Sequence, residues 1–435
     1  MKFKLTKNEK AWVLYDVGNS AFVMFICSLL PIYYKTLAQA QGYTDTQITT
    51  IFSTLLSISA FAIALTNPVL GAIADNKGMK KKMFLAFMLA GVICCFLIGV
   101  SNYIPVLALI VILSRIGFSG SIVFYDSMLI DVTEDHRMDD VSSRGFAYGY
   151  IGSCIPFIMC LLVYVLATMP KDKPVIGIGE DKAIVIGMAI TGLWWFLLST
   201  PLLKNYTQNH GVDPVKHQIR NAFIKIGKTF KNLKSYKAAF LFVIAFFFYI
   251  NGVTTIIGMS ILYATQILGN INAVYLIIAL LMTQVVAWPF AIINGKLAGK
   301  VSPRYLILIS IGGYIAITIY GGFLQNLVQF FIMAFFVGLF QGGIQALSRS
   351  YYAKLIPKEK SNEFFGIYDI CGKGAAVLGP ALMGLATAIT KNIRFGVVSL
   401  ILFFIIGGII LFFLPKNKAD YPNAFIPSSS TDDEN

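Results

Sequence analysis

Charged side chains are scarce in this chain of 435 residues, at 13% against roughly 25% in soluble domains. That shortage excludes a water-exposed surface of ordinary size. Histidine occurs three times, at His136, His210 and His217, all in polar stretches and without metal-ligand spacing among them. The chain also has no phosphate-binding glycine loop and no nucleophile–base motif, so neither enzymatic activity nor a cofactor is expected. Its six cysteines, Cys27, Cys94, Cys95, Cys154, Cys160 and Cys371, all fall inside apolar runs, where they read as small packing residues and not as a disulfide framework.

Long apolar runs are abundant. Hydrophobic residues make up 57% of the chain and the mean hydropathy is +0.73. Crossing ~30 Å of hydrocarbon takes about 20 apolar residues in a helix. Runs of that length are read near residues 11–37, 47–74, 83–101, 104–130, 144–168, 181–203, 237–264, 273–298, 304–322, 328–350, 361–388 and 393–414. They are too long and too evenly apolar for barrel strands, so the sequence predicts an all-α, polytopic membrane protein of about twelve spans. The opening MKFKLTKNEK resembles a signal n-region, yet the span behind it contains Asp16 and shows no small-residue cleavage site, so it reads as an uncleaved first helix.

The formal charge of +14 is explained by topology, and no nucleic-acid partner is needed. Of the 35 Lys and Arg residues, 27 fall in alternate loops and the terminal segments, six in the opposite loops, and Arg115 and Lys373 within spans. The positive-inside rule then puts both termini in the cytoplasm. Such a compact, inner-basic chain suits a bacterial plasma membrane.

The longest polar stretch divides the chain into an N-terminal six-helix bundle over 1–203, a connector over 204–236, a C-terminal bundle over 237–415 and a disordered tail over 416–435. In the connector, Ile219, Phe223, Ile226, Phe230 and Leu233 recur at helical spacing with lysines on other faces, which predicts a basic amphipathic helix on the anionic inner leaflet. The loop GAIADNKGMKKK at 71–82 has a partial copy, GKLAGKVSPR, at 295–304, as two parallel repeats require. Gly145, Gly149, Gly152 and Pro156 in the fifth span answer Gly366, Gly374, Gly379, Pro380 and Gly384 in the eleventh, where small residues let helices approach closely.

With Gly71, Asp75, Gly78 and Lys80 to Lys82, the 71–82 loop resembles the loop 2–3 motif of the major facilitator superfamily. AWVLYDVGNSAF (11–22), VSSRGFAYGYIGS (141–153), QGGIQALSRSYYAKLIP (341–357), FFGIYD (364–369) and LGP (378–380) are similar to its vacuole-effluxer-like branch. The resemblance implies the twelve-helix, two-bundle transporter fold. It also implies secondary transport, by alternating access, of a small molecule such as an amino acid or related carboxylate, with export as the direction. It implies that Asp75 latches the inner gate by meeting a helix N-terminus and a nearby Arg. The copy has Gly299 where that acid would stand, so the second half needs another partner. Two other readings are a lipid or lipid-linked glycan flippase of the same fold and a transport-inactive scaffold.

Charges inside a bilayer cost at least a few kcal/mol, so they normally face a cavity or a partner. Arg115 sits ~16 Å into the fourth span, and Ser119, Ile122 and Asp126 continue its face. Lys373 lies at similar depth in the eleventh span, one turn beyond Asp369. Arg115 and Lys373, with the polar side chains of Asn19, Asn251, Thr254, Thr255, Gln341 and Gln345, are the candidate substrate contacts. Asp16, Asp126 and Asp369 each follow a tyrosine (Tyr15, Tyr125, Tyr368) nearer the inner surface. They form a candidate gate layer with Arg144 and Arg349, and Asp16 or Asp369 is the candidate carrier of a co-transported proton. The acidic run EDHRMDD at 134–140 reads as a solvated loop. A monomer in the lipid bilayer is expected.

Overall fold

The computed structural model describes residues 3–169, 175–213, 236–269 and 273–420. The described residues are almost wholly helical: α1 (Lys7–Ala40), α2 (Asp45–Ala74), α3 (Lys80–Leu97), α4 (Ile104–Val132), α5 (Met138–Thr168), α6 (Glu180–Asn205), α7 (Lys237–Leu268), α8 (Ala273–Leu297), α9 (Pro303–Gly322), α10 (Leu327–Leu355), α11 (Ser361–Thr390), α12 (Ile393–Ser399) and α13 (Ile401–Phe412). Leu400 alone separates α12 from α13, and the two together make one apolar span, Ile393–Phe412. Among the described residues ten helical stretches are long and apolar enough to cross a membrane. The helices outside that set are α3, which opens on three lysines, and α11, which carries Glu363, Asp369 and Lys373.

Local chemistry sets the ends. Thr6 and Glu9 form a capping box on α1, and Thr44 and Gln47 form another on α2. The fifth span starts at Met138, six residues before its apolar run: Asp139 and Asp140 occupy the first turn, where the helix dipole favours acids.

In one group of helices α1 packs against α5 and α6, and α3 packs against α4 and α6; in the other α10 packs against α8 and α9, and α7 packs against α11 and α13. The groups meet chiefly through α2 on α11 and α5 on α8, with α4 and α10 closing one end. That end also carries the first and last described residues, so we call it the basic face. Glu9 binds Arg137 at 2.7 Å, and Asp420 accepts from Tyr351 at 2.7 Å and from Arg304 at 3.5 Å. The tail thus begins with Asn417–Asp420 docked on α10 and α9, while 421–435 lie outside the described residues. Of the connector, 214–235, with its amphipathic pattern, lie outside them too.

Candidate functional site

Consecutive residues on a helix point ~100° apart, so a tyrosine and the aspartate after it serve different surfaces. Tyr125 stacks on Trp12 with centroids 4.5 Å apart, Tyr15 donates to Ser121 at 2.7 Å, and Tyr368 stacks on Phe246 and Tyr352. The aspartates turn instead toward the junction between the two helix groups.

Two of them converge on Arg349, which lies on α10 and is 3% exposed. Its guanidinium reaches Asp126 at 3.0 Å and Asp16 at 3.3 Å, and donates to the hydroxyl and the carbonyl of Ser142, both at 3.0 Å. Around these bonds it packs on the rings of Trp12 at 4.5 Å, Phe146 at 4.2 Å and Tyr125 at 5.5 Å. Each such cation–ring contact is worth about 0.5–2 kcal/mol, more when dry. Gly145 makes room for this: a methyl group there would lie 2.7 Å from the Asp16 carboxylate, 2.9 Å from Trp12 and 3.0 Å from the Arg349 guanidinium.

Toward the basic face, Asp75 is buried against the first turn of α11. It accepts from the backbone N–H of Asn362 at 2.9 Å and of Glu363 at 3.0 Å, and from the Asn362 side chain at 2.8 Å. An anion on free N-terminal amides is a favourable placement. Burial nevertheless pushes its carboxyl up to about 6, against the lowering effect of Lys80 and these donors. The nearby cation is Lys80, not an arginine; it joins Asp131 at 2.8 Å to Ser361 at 3.0 Å. Ser127 also donates to the Asn362 side-chain oxygen. Gly71 is required here, since an added Cβ would sit 2.4 Å from the Asn362 carbonyl.

The repeat solves the same contact with other residues. Asp139 is fully buried and takes Lys354 at 2.5 Å, so the 134–140 run is not simply a solvated loop. Asp135 pairs with Lys358 at 3.0 Å nearby. Asp126 and Arg349 each stand six residues before the end of their helices, α4 and α10, and Asp131 and Lys354 each stand one residue before it. Matched positions therefore carry opposite charge in the two groups.

Higher up, Arg115 donates to Ser59 at 2.9 Å and is only half-buried. One turn along α4, Ser119 lies 3.5 Å from Asp369, which also accepts from Asn67 at 2.6 Å. Tyr150 of α5 donates to Gln345 at 3.2 Å. Gln341 is buried one turn away on α10. Other candidates turn away from the junction. The Asn19 amide bonds its own helix at Tyr15, and Asn251 bonds Phe247 and is fully buried. Thr254 and Thr255 bond the carbonyls of Ile250 and Asn251, and Thr255 lines a small cavity within the second group with Met259, Met333 and Met383. Arg144 lies over the Phe3 ring at 4.7 Å instead of joining Arg349. The side chain of Lys373 lies outside the described residues. Sequence reading missed Asn67, Ser142, Asp131, Asp139 and Lys354. Two traces pointed there: Asp139 lies in the acidic 134–140 run, and Lys354 is among the basic residues that orient the chain.

A chain whose described residues are almost wholly helical, in two groups that meet at a buried ion-paired junction, has the major facilitator fold, and the relatives it matches make it a multi-pass membrane transporter and not an enzyme. It belongs to the family described as "Vacuole effluxer Atg22 like", which it matches over residues 5–422. It is 42% identical to the uncharacterized MFS-type transporter YxiO of Bacillus subtilis (strain 168), over 96% of this chain and 97% of that one. It is 26% identical to Autophagy-related protein 22 of Kluyveromyces lactis, over 92% of each. Among solved structures, the E. coli fucose:proton symporter FucP in its outward conformation superposes with a TM-score of 0.68 at 14% identity, over 94% of this chain and 98% of that one.

Proposed function

We propose that this transporter exports an amino acid or related carboxylate from a bacterial cytoplasm by alternating access, with the basic face cytoplasmic and shut in the described arrangement. The observation that carries the reading is Arg115, a half-buried guanidinium near the middle of α4, one turn from the Ser119–Asp369–Asn67 cluster that joins the two helix groups. A cation one helical turn (~5 Å) along α4 from the serine that meets an anion suits a zwitterionic amino acid. Arg115 takes the carboxylate, the Tyr150–Gln345 pair and Gln341 supply hydrogen bonds, and Asp369 carries the coupled proton. The Arg349 and Asp75 clusters form the cytoplasmic gate.

Proteoliposomes given labelled neutral and acidic amino acids, with and without a pH gradient, test this. Uptake against a gradient, lost in Arg115→Ala through a raised KM, is the expected result. Unchanged transport in that variant sinks the role of Arg115, and flux indifferent to the pH gradient sinks the proton.

A further inference from the structure

The loop carrying Asp75 does not hold its own shape. Residues 206–213, which follow α6, lie along it. Asn76 and Val212 form a parallel bridge, in which Val212 N–H donates to the Asp75 carbonyl at 2.8 Å and Lys77 N–H donates to Val212 at 2.9 Å. Gly211 permits this approach, because a Cβ there would lie 2.8 Å from the Asp75 carbonyl.

Gln208 stands at the centre. Its amide donates to the carbonyls of Ala74 at 3.4 Å, Asn76 at 3.3 Å and His210 at 3.1 Å. Its oxygen accepts from Gly78 N–H at 2.9 Å and Lys80 N–H at 3.3 Å. One side chain thus satisfies backbone groups on both sides of the loop. The segment is anchored on Asp131, which accepts from the Tyr206 hydroxyl at 2.5 Å, from Asn209 N–H at 3.1 Å, and from His210 through its N–H at 2.9 Å and ring at 3.0 Å. Burial and the facing Asp131 push the Tyr206 hydroxyl well above its ordinary value, so it remains a donor. The exposed Lys77–Asp213 pair adds little.

We propose that residues 206–213 are a splint that pre-shapes the α2–α3 loop, with Gln208 as a positioning residue for Asp75. Apart from the bond from Gln208 to His210 within the segment, every contact just described lies between the segment and α2, α3, α4 or their loop. The splint therefore stays in place when the helix groups separate. Ordering a loop costs conformational entropy, and a loop already ordered before closing avoids that cost when Asp75 meets Asn362 and Glu363.

The proposal rests on Asp75 closing the basic face, so the test separates the two. Hydrogen exchange at the Asn362 and Glu363 amides is followed in full-length protein in nanodiscs, for wild type, Gln208→Ala, Asp75→Ala and the double variant. The expected result is exchange about tenfold faster in Gln208→Ala, the scale of one or two lost buried hydrogen bonds, with no further acceleration when it is added to Asp75→Ala, which removes the acceptor altogether. Equal acceleration in both backgrounds, or none in either, overturns the splint. No acceleration in Asp75→Ala alone overturns the latch beneath it. Tyr206→Phe, which keeps the ring and loses one anchor, is expected to give a smaller effect of the same pattern; an Asp75-independent effect there also overturns the proposal.

Discussion

Lys354, one residue before the end of α10, donates at 2.5 Å to Asp139, the second residue of α5, where the repeat of the 71–82 loop has lost its acid. In the other half the second residue of α11 is Asn362, which receives Asp75. One position thus holds an amide that binds an acid and, in the repeat, an acid that binds a lysine. Removing one partner of a buried pair costs about 3–5 kcal/mol, because the other charge is stranded. Lys354→Ala should therefore lower the Tm and open the basic face, and Lys354→Ala/Asp139→Ala should recover most of that stability. Melting curves of the three proteins in detergent check this; a double variant no better than the single removes the pair as the cause.

The pH dependence of closure should run through Asp75. Its carboxyl sits at about 6 when buried and returns to roughly 3.9 when released into water. The closed arrangement then binds the proton more tightly. This group's contribution to closure is full below about pH 4 and is lost as pH rises through 6. Spin labels at the exposed positions Lys82 and Glu359 should show a larger closed population at pH 5 than at pH 7.5, and Asp75→Asn should flatten that difference.

Gly145→Ala should wedge the Arg349 cluster apart. Its methyl meets the Asp16 carboxylate, Trp12 and Arg349 at 3.0 Å or less, and overpacking of this kind costs about 1–3 kcal/mol. The expected outcome is a lower Tm with transport reduced severalfold. Gly42→Ala is the wrong control because of its positive φ, whereas Gly312→Ala, with open space around it, should leave both unchanged.

Arg349→Lys should fail despite keeping the charge. An ammonium cannot span Asp16, Asp126 and both Ser142 acceptors from one planar fork, nor stack on Trp12 and Phe146 as well. Transport in proteoliposomes is expected to fall at least ~10-fold, the equivalent of about 1.4 kcal/mol. Near-normal rates would reduce Arg349 to a bare counter-charge.

The spans were legible because lipid imposes length and apolarity on nearly every helix, and α5 ran past its expected start only where acids extended it over the dipole. Asp16, Asp126 and Arg349 could be named because a charge within an apolar run stands out. Asp131, Asp139 and Lys354 could not, because they sit at helix ends, where charges are ordinarily solvated, and only the opposing helix buries them. Asn251 and Thr255 looked like cavity residues by their place on α7, but helical phase turns them onto α11 and into the second group. Hydropathy cannot resolve that rotation. Asn67 was hidden beside Pro68 in a span that carries many other small polar residues.

The sign reversal between matched positions also bears on how the molecule assembles. Asp16, Asp126 and Asp139 belong to the first helix group, and Arg349 and Lys354, which they meet, to the second. Two copies of the first group brought together would bury acid against acid, and two copies of the second would bury base against base, so neither can form a stable self-pair at this surface. Only the unlike pair neutralises itself. A duplicated half that diverged in this way would have stopped being a homodimer subunit and become a committed partner of its neighbour, and fragments expressed separately should still choose one another.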